Sequence, residues 1–268
     1  MAGVLAGLLG VGGGLVIVPM LVMALTRQGV APEVIMHLAL GTSLASIMFT
    51  SVSSFLAHHR RGAVLWPVVR RIAGGILLGT FLGATIAAWL SSRTLKLIFV
   101  LFLYYMGYQL LANRQPKPSR TLPGWVGMSM AGLVIGGVSA FVGIGGGSLS
   151  VPFMIWCNVP VHTAIGTSAA IGFPIALAGS LGYLVNGLQA TQLPPWSLGY
   201  IYLPALLGVV TCSVLTAPLG ARLAHRLPVP RLKRVFAALL LVMGTKMLYE
   251  LVQTGPLLQA AATWLRGG

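Results

Sequence analysis

The stretch Gly143-Ile144-Gly145-Gly146-Gly147-Ser148-Leu149-Ser150-Val151-Pro152 occurs twice in this chain. Its counterpart is Gly10-Val11-Gly12-Gly13-Gly14-Leu15-Val16-Ile17-Val18-Pro19, with the glycines and the closing proline at a constant offset of 133 residues. Three consecutive glycines interrupt a helix, since each costs ~1 kcal/mol against alanine in a helix interior. Both copies lie inside long apolar runs. A break there leaves backbone groups without water, and is tolerated only where protein or a water-filled cavity receives them. Matching breaks in two halves of a chain point to the binding site of a transporter. The competing reading is that the glycines serve only the close packing of helices.

Composition sets the class. The chain is 57% hydrophobic and 7% charged, with two acidic residues, Glu33 and Glu250. Soluble domains carry ~25% charged residues, so the length of 268 residues is to be counted in membrane spans rather than domains. The net charge of +15 sits in short connections between apolar runs, the pattern of cytoplasmic loops. It forms no basic face interleaved with aromatics, which excludes nucleic acid as a partner. Cys157 and Cys212 lie in or beside apolar segments without CxxC spacing and read as small core residues. The chain carries no metal-ligand cluster, phosphate-binding glycine loop or nucleophile–base pair. No cofactor and no metal are expected, and an enzyme or ATP-driven pump is disfavoured.

The apolar runs fall into two halves. Ala2 to Leu25 is broken at Gly12–Gly14; Met36 to Ala57, Trp66 to Leu90 and Leu95 to Ala112 follow. Residues 1–112 form the first repeat, and 113–123 a basic cytoplasmic linker containing Arg114, Lys117 and Arg120. Residues 124–255 form the second repeat, with runs from Gly124 to Cys157, His162 to Asn186, Trp196 to Arg222 and Leu232 to Tyr249; residues 256–268 are a tail. His37-Leu38-Ala39-Leu40-Gly41-Thr42-Ser43 answers His162-Thr163-Ala164-Ile165-Gly166-Thr167-Ser168 at offset 125, and Leu95-Lys96 answers Leu232-Lys233 at offset 137. Offsets drift in connections, where insertions are tolerated. Met1 stands close to the first break whereas about twenty residues precede the second, so a chain start short of the natural one is one reading of the N-terminus.

Charge discriminates between two arrangements of the halves. If each broken run crosses the membrane once, the repeats are parallel and the basic residues divide nine to eight, which assigns no orientation. If each broken run enters and returns on one side, three full spans remain per repeat and the second repeat is inverted. Basic residues then divide twelve to five, a proper positive-inside bias. The expected architecture is therefore an all-α polytopic membrane protein of two inverted repeats, each a glycine-interrupted helix pair plus three transmembrane helices.

These features resemble the sulfite exporter TauE/SafE family of membrane permeases. The likeness covers nearly the whole chain. It rests on the duplicated Gly-x-Gly-Gly-Gly…Pro breaks, the two His-x-x-x-Gly-Thr-Ser segments, and Arg61-Gly62 leading into the third apolar run. The resemblance implies transport of sulfite, organosulfonates or related sulfur-containing anions. It also implies an integral, multi-pass location in a bacterial or archaeal plasma (inner) membrane.

The residues supply a chemistry for such a substrate. A half-helix beginning after Gly14 or Gly147 offers unpaired N–H groups and a positive dipole end, an anion site by construction. Glycine lets the anion approach the backbone without meeting a Cβ. The candidate substrate-binding set is Gly12, Gly13, Gly14, Gly145, Gly146 and Gly147, with Ser148 as a hydroxyl donor or a plain N-cap. Thr42, Ser43, Thr167 and Ser168 complete it as uncharged donors; their alternative is bonding within or between helices. His37 and His162 begin their spans as candidates for gating or proton linkage, or as interfacial histidines. Glu250 is expected to pair locally with Lys246. Gly75, Gly79 and Gly83 carry Gly-x-x-x-Gly spacing, compatible with a homodimer but used in polytopic proteins mainly for internal packing. The leading function is a secondary permease for small sulfur-containing anions working by alternating access. An anion channel of the same architecture, or a membrane scaffold for a partner enzyme, are the alternatives.

Overall fold

The computed structural model describes residues 13–112, 119–213 and 229–253, the side chains of 229–233 excepted. Its helices are α1 (Gly14–Arg27), α2 (Pro32–Arg60), α3 (Trp66–Trp89), α4 (Ser92–Ala112), α5 (Trp125–Val142), α6 (Gly147–Trp156), α7 (Val161–Gly187), α8 (Leu203–Ser213) and α9 (Val229–Gln253). A two-residue antiparallel ribbon, β1 (Ser197–Leu198) with β2 (Ile201–Tyr202), precedes α8. Helices α2, α3, α4, α5, α7 and α9 are long and apolar enough to cross a membrane, and α1, α6 and α8 are shorter apolar helices. The chain is an all-α polytopic membrane protein.

Local sequence accounts for the boundaries. Prolines occupy the first turns of α2 and α3, where the missing N–H would be unpaired in any case. Gly13 (φ 66°) and Gly146 (φ 76°) adopt left-handed backbone at the N-caps of α1 and α6, and Gly143 (φ 66°) does so at the end of α5. Side chains seldom tolerate that region, which explains the glycines. The run expected from Trp196 to Arg222 differs: it opens with the β-ribbon, and its helix is described over Leu203–Ser213. Pro195, Trp196 with φ 66° and Gly199 with φ 54° turn the backbone there, and a helix forms only once that turn is passed. Gly12, residues 113–118 of the expected linker, residues 214–222 of that run and the tail lie outside the described residues.

Packing is close and backbone-to-backbone. A Cβ added at Gly79 would sit 2.6 Å from the Cα of Leu133, and one at Gly136 would sit 2.7 Å from the Ile76 carbonyl oxygen. Gly75, Gly79 and Gly83 thus face α5 of the same chain, the internal use of the Gly-x-x-x-Gly spacing. These pairs advance together, so α3 and α5 run parallel. Helices α2 and α7 run antiparallel: Gly179 meets Leu44, Gly172 meets Ser51, and Gly41 meets Tyr183. Helices α4 and α9 are also antiparallel, with Lys96 bonded to Glu250 and Tyr104 to Thr245. The amides of Ser119 and Arg120, just ahead of α5, donate to the carbonyl of Trp156 at the end of α6, both at 3.2 Å. The α5–α6 unit therefore leaves and regains the same end of the bundle.

Candidate functional site

The two glycine breaks meet. A Cβ on Gly14 would collide with the Gly143 carbonyl oxygen and lie 3.0 Å from the Cα of Ile144. The Ser43 hydroxyl donates to that same Gly143 carbonyl at 2.8 Å. The second break lies against the middle of α7: the carbonyl oxygen of Gly145 is 3.1 Å from where a Cβ on Gly172 would be, and Ile175 faces Gly146. Gly172 is eleven residues into α7, roughly 16 Å along its axis at ~1.5 Å per residue. Gly13, Gly14, Gly145, Gly146, Gly147 and Ser148 are all buried.

The backbone at these breaks has donors to spare. The amides of Leu149 and Ser150 both donate to the Gly146 carbonyl, at 3.0 and 2.8 Å. No carbonyl among the described residues accepts from the amides of Gly145, Gly146, Gly147 or Ser148. Left-handed Gly146 followed by right-handed Gly147 turns successive N–H groups toward a common point, the concave anion-binding arrangement called a nest. Gly13 and Gly14 repeat the pattern at the start of α1, where the amides of Gly14 and Leu15 likewise find no described carbonyl. Prolines Pro19 and Pro152 stand inside α1 and α6. Lacking an N–H, they leave the carbonyls of Leu15 and Ser148 without their usual helical donor.

Side chains sort the candidates. Ser148 is the second residue of α6, and Gly146 rather than Ser148 is the N-cap, so the N-capping alternative does not hold. Its hydroxyl is buried with no hydrogen-bond partner, as are those of Ser139 and Thr80. Buried polar atoms are almost always paired, so each of these hydroxyls, without a partner among the described residues, is a candidate ligand contact. Ser168 shares a 2.7 Å hydrogen bond with Ser150. Thr42 accepts from the amide of Tyr202 at 2.9 Å, and Thr167 from the amide of Leu65 at 3.0 Å. Each threonine thus clamps the segment just ahead of a helix of the other half, Leu65 before α3 and Tyr202 before α8. The residues obey the two repeat offsets, 42 to 167 by 125 and 65 to 202 by 137.

The histidines are not brought together. The Nε2 of buried His37 lies 3.2 Å from the Ala87 carbonyl oxygen and 3.1 Å from that of Leu90, at the end of α3, and its ring stacks on Tyr200 at 4.8 Å. His162 is exposed at the start of α7, a helix whose Gly166 abuts Ala63, ahead of the opposite end of α3. The ion pair at Glu250 corrects the local expectation: Glu250 bonds Lys96 of α4 at 2.8 Å, and the Nζ of Lys246 is 2.9 Å from the sulfur of Met23. A long-range partner wins because α4 and α9 pack along their length. Sequence reading missed Ser150, Ser139 and Thr80. Ser150 was detectable as a second hydroxyl on the quoted stretch; Thr80 carries no signal of its own. Among the described residues no cluster of His, Cys, Asp and Glu could hold a metal.

Long apolar helices, two touching half-helix termini at mid-bundle and amides without described carbonyl partners describe a polytopic helical membrane protein, and its relatives place it among membrane transporters. The sulfite exporter TauE/SafE family model matches residues 1–247, and the chain belongs to that family. It is 38% identical to a probable membrane transporter protein of Haemophilus influenzae, covering 92% of this chain and 94% of the relative. The probable membrane transporter protein YunE of Bacillus subtilis is 26% identical over 93% of this chain and 94% of its own length. The probable inner membrane transporter protein TsaS of Comamonas testosteroni is 30% identical over 68% of this chain and 73% of its own length. No solved structure matches.

Proposed function

We propose that the protein is a secondary permease for small sulfur-containing anions such as sulfite or organosulfonates, holding the anion at the second glycine break. The observation that carries this reading is the run of amides from Gly145 to Ser148 without described carbonyl partners, beside the orphaned, buried Ser148 hydroxyl. Neutral donors suit a substrate that must be released again: they replace hydration without the deep well of a fixed cation. The amides of Gly14 and Leu15 supply a second, apolar-lined station, its Gly14 packed against Gly143 and Ile144 just ahead of the first. Ser43, Thr42, Thr167 and Ser168 act in this reading as the frame around the breaks, since their hydroxyls already bond protein groups. The family supports the anion class; its sulfur chemistry is the specific content of the proposal.

Two inverted repeats fit the packing. The pairs α2 with α7 and α4 with α9 occupy corresponding places in the two halves, and each pair runs antiparallel. The α5–α6 unit acts as a re-entrant hairpin, its two ends joined through Trp156. Residues 1–112 and 124–255 are then the repeats and 113–123 the cytoplasmic linker. Alternating access follows if the halves rock about the meeting point of the breaks. Two experiments test the reading. In proteoliposomes, an uptake panel of sulfite, taurine, sulfoacetate and thiosulfate should show saturable transport of at least one with trans-stimulation. Transport without trans-stimulation would indicate a channel, and none at all, with a copurifying soluble chain, a scaffold. Single cysteines at Ser119, Val159 and Val229, in a background lacking Cys157 and Cys212, should label from the cytoplasm, and those at Ser92 and Gln192 from outside. Ser119 and Val229 on opposite faces would remove the inverted arrangement.

A further inference from the structure

The chain has two carboxylates in 268 residues, Glu33 and Glu250, and the fold delivers both to one cavity. That cavity has a volume of about 710 Å³ and is lined by Glu33, Glu250, Arg93 and Lys96. It sits where helix ends converge: the last turns of α1, the Gly29–Pro32 connection, the α3–α4 connection at Ser91 and Ser92, and the end of α9. The glycine breaks, by contrast, lie midway along α7, so the two places are distinct. Much of the remaining lining is apolar, from Val22, Val30, Ile35, Met36 and Leu251.

The charges are unequally committed. Lys96 and Glu250 neutralise each other across 2.8 Å, with side chains 16% and 29% exposed. The side chains of Glu33 and Arg93 have no ion-pair or hydrogen-bond partner among the described residues. One fixed anion and one fixed cation are thus left facing the same apolar-walled space. A simple anion would meet Arg93 and be opposed by Glu33; a simple cation would meet the reverse. Only a ligand bearing both charges compensates both groups, and discrimination against single-charge analogues is built in by repulsion. The size and the mixture of apolar wall with few polar groups are those of a small-molecule site.

We propose that this cavity binds a small organic zwitterion, its ammonium group held by Glu33 and its anionic group by Arg93. The inference does not rest on the permease reading and stands or falls separately from it. The chemistry has two sources, a dissolved ω-amino acid-like solute or the headgroup of phosphatidylethanolamine. The test uses the full chain, delipidated in an uncharged maltoside detergent. Calorimetry with 4-aminobutanoate, butanoate and butylamine reports the dissolved source. Native mass spectrometry with phosphatidylethanolamine against phosphatidylglycerol reports the lipid source. At least a tenfold preference for the zwitterion is expected in one arm, and that arm names the source. Arg93→Gln should abolish the preference over butylamine, and Glu33→Gln the preference over butanoate and phosphatidylglycerol. Both positions are exposed, and an unchanged melting temperature certifies that the variants fold. Equal binding of zwitterion and single-charge analogues in both arms, no binding in either, or a preference that survives both variants would overturn the proposal.

Discussion

The two glycine breaks share a backbone and differ in what lines it. Each begins with a left-handed glycine, Gly13 or Gly146, and carries a proline at the sixth position of the helix that follows. After the first come Leu15 and Ile17; after the second, at the same positions, Ser148 and Ser150. Leu15 and Ile17 are packed in the core, whereas the Ser148 hydroxyl is orphaned and Ser150 bonds Ser168. Duplication thus preserved the backbone conformation while the side chains diverged, apolar and packed after the first break, hydroxyl-bearing after the second. The histidines diverge in the same way, with His37 buried between α3 and Tyr200 and His162 at the surface. The threonine clamps, by contrast, stay equivalent.

Several substitutions would break or sharpen this comparison. The largest effect belongs to the contact between the breaks. Gly14→Ala drives a Cβ into the Gly143 carbonyl and should cost on the order of 4 kcal/mol or more, the range of severe overpacking, read as loss of monodisperse protein or a collapsed thermal transition. Gly74→Ala, whose Cβ would meet nothing within 4 Å, is the matched control and should melt like the parent. Next comes the pair at the first diverged position. Leu15→Ala opens a cavity in the core and should cost about 2–5 kcal/mol while sparing anion affinity. Ser148→Ala removes an unsatisfied hydroxyl and should leave ligand-free melting unchanged or raised. Its anion affinity, by calorimetry, should fall about tenfold, the lower end of a charged hydrogen bond at ~1.5–3 kcal/mol. Unaltered affinity in Ser148→Ala would mean that this divergence has no part in anion binding.

The clamps should behave alike. Thr42→Val and Thr167→Val each strand one backbone amide, Tyr202 or Leu65, and each should cost about 1–3 kcal/mol in thermal or chemical unfolding. A large inequality between them would show that the halves diverged in their frame as well as in their chemistry. The smallest effect is at His162, exposed on the first turn of α7. His162→Ala should change stability by less than about 0.5 kcal/mol; a loss of transport in that variant, with folding intact, would restore the gating role that the structure leaves unsupported.

Much of the fold was legible in the residues because lipid imposes one rule: backbone polar groups must be satisfied within the chain. Under that rule, long apolar runs are helices, consecutive glycines inside them are interruptions, and a duplicated interruption is a candidate site. Five of the six expected spans, the glycine interruptions and the class of protein follow from composition and spacing; the run expected from Trp196 to Arg222 does not, its described helix being the short Leu203–Ser213, while Trp125–Val142 is long enough to cross. The roles of the hydroxyl residues did not. Thr42, Thr167 and Ser43 follow the pattern of ligand donors in sequence, yet their partners are Tyr202, Leu65 and Gly143, 160, 102 and 100 residues away. Glu250 passed over the neighbourhood of Lys246 for Lys96, 154 residues distant. Periodicity and local charge act over a few residues and are written in the chain itself. Which hydroxyl is occupied, which is left free, and where two carboxylates meet depend on how helices of opposite direction pack. That packing is set by backbone contacts at Gly14, Gly79 and Gly136, and only the tertiary structure holds them.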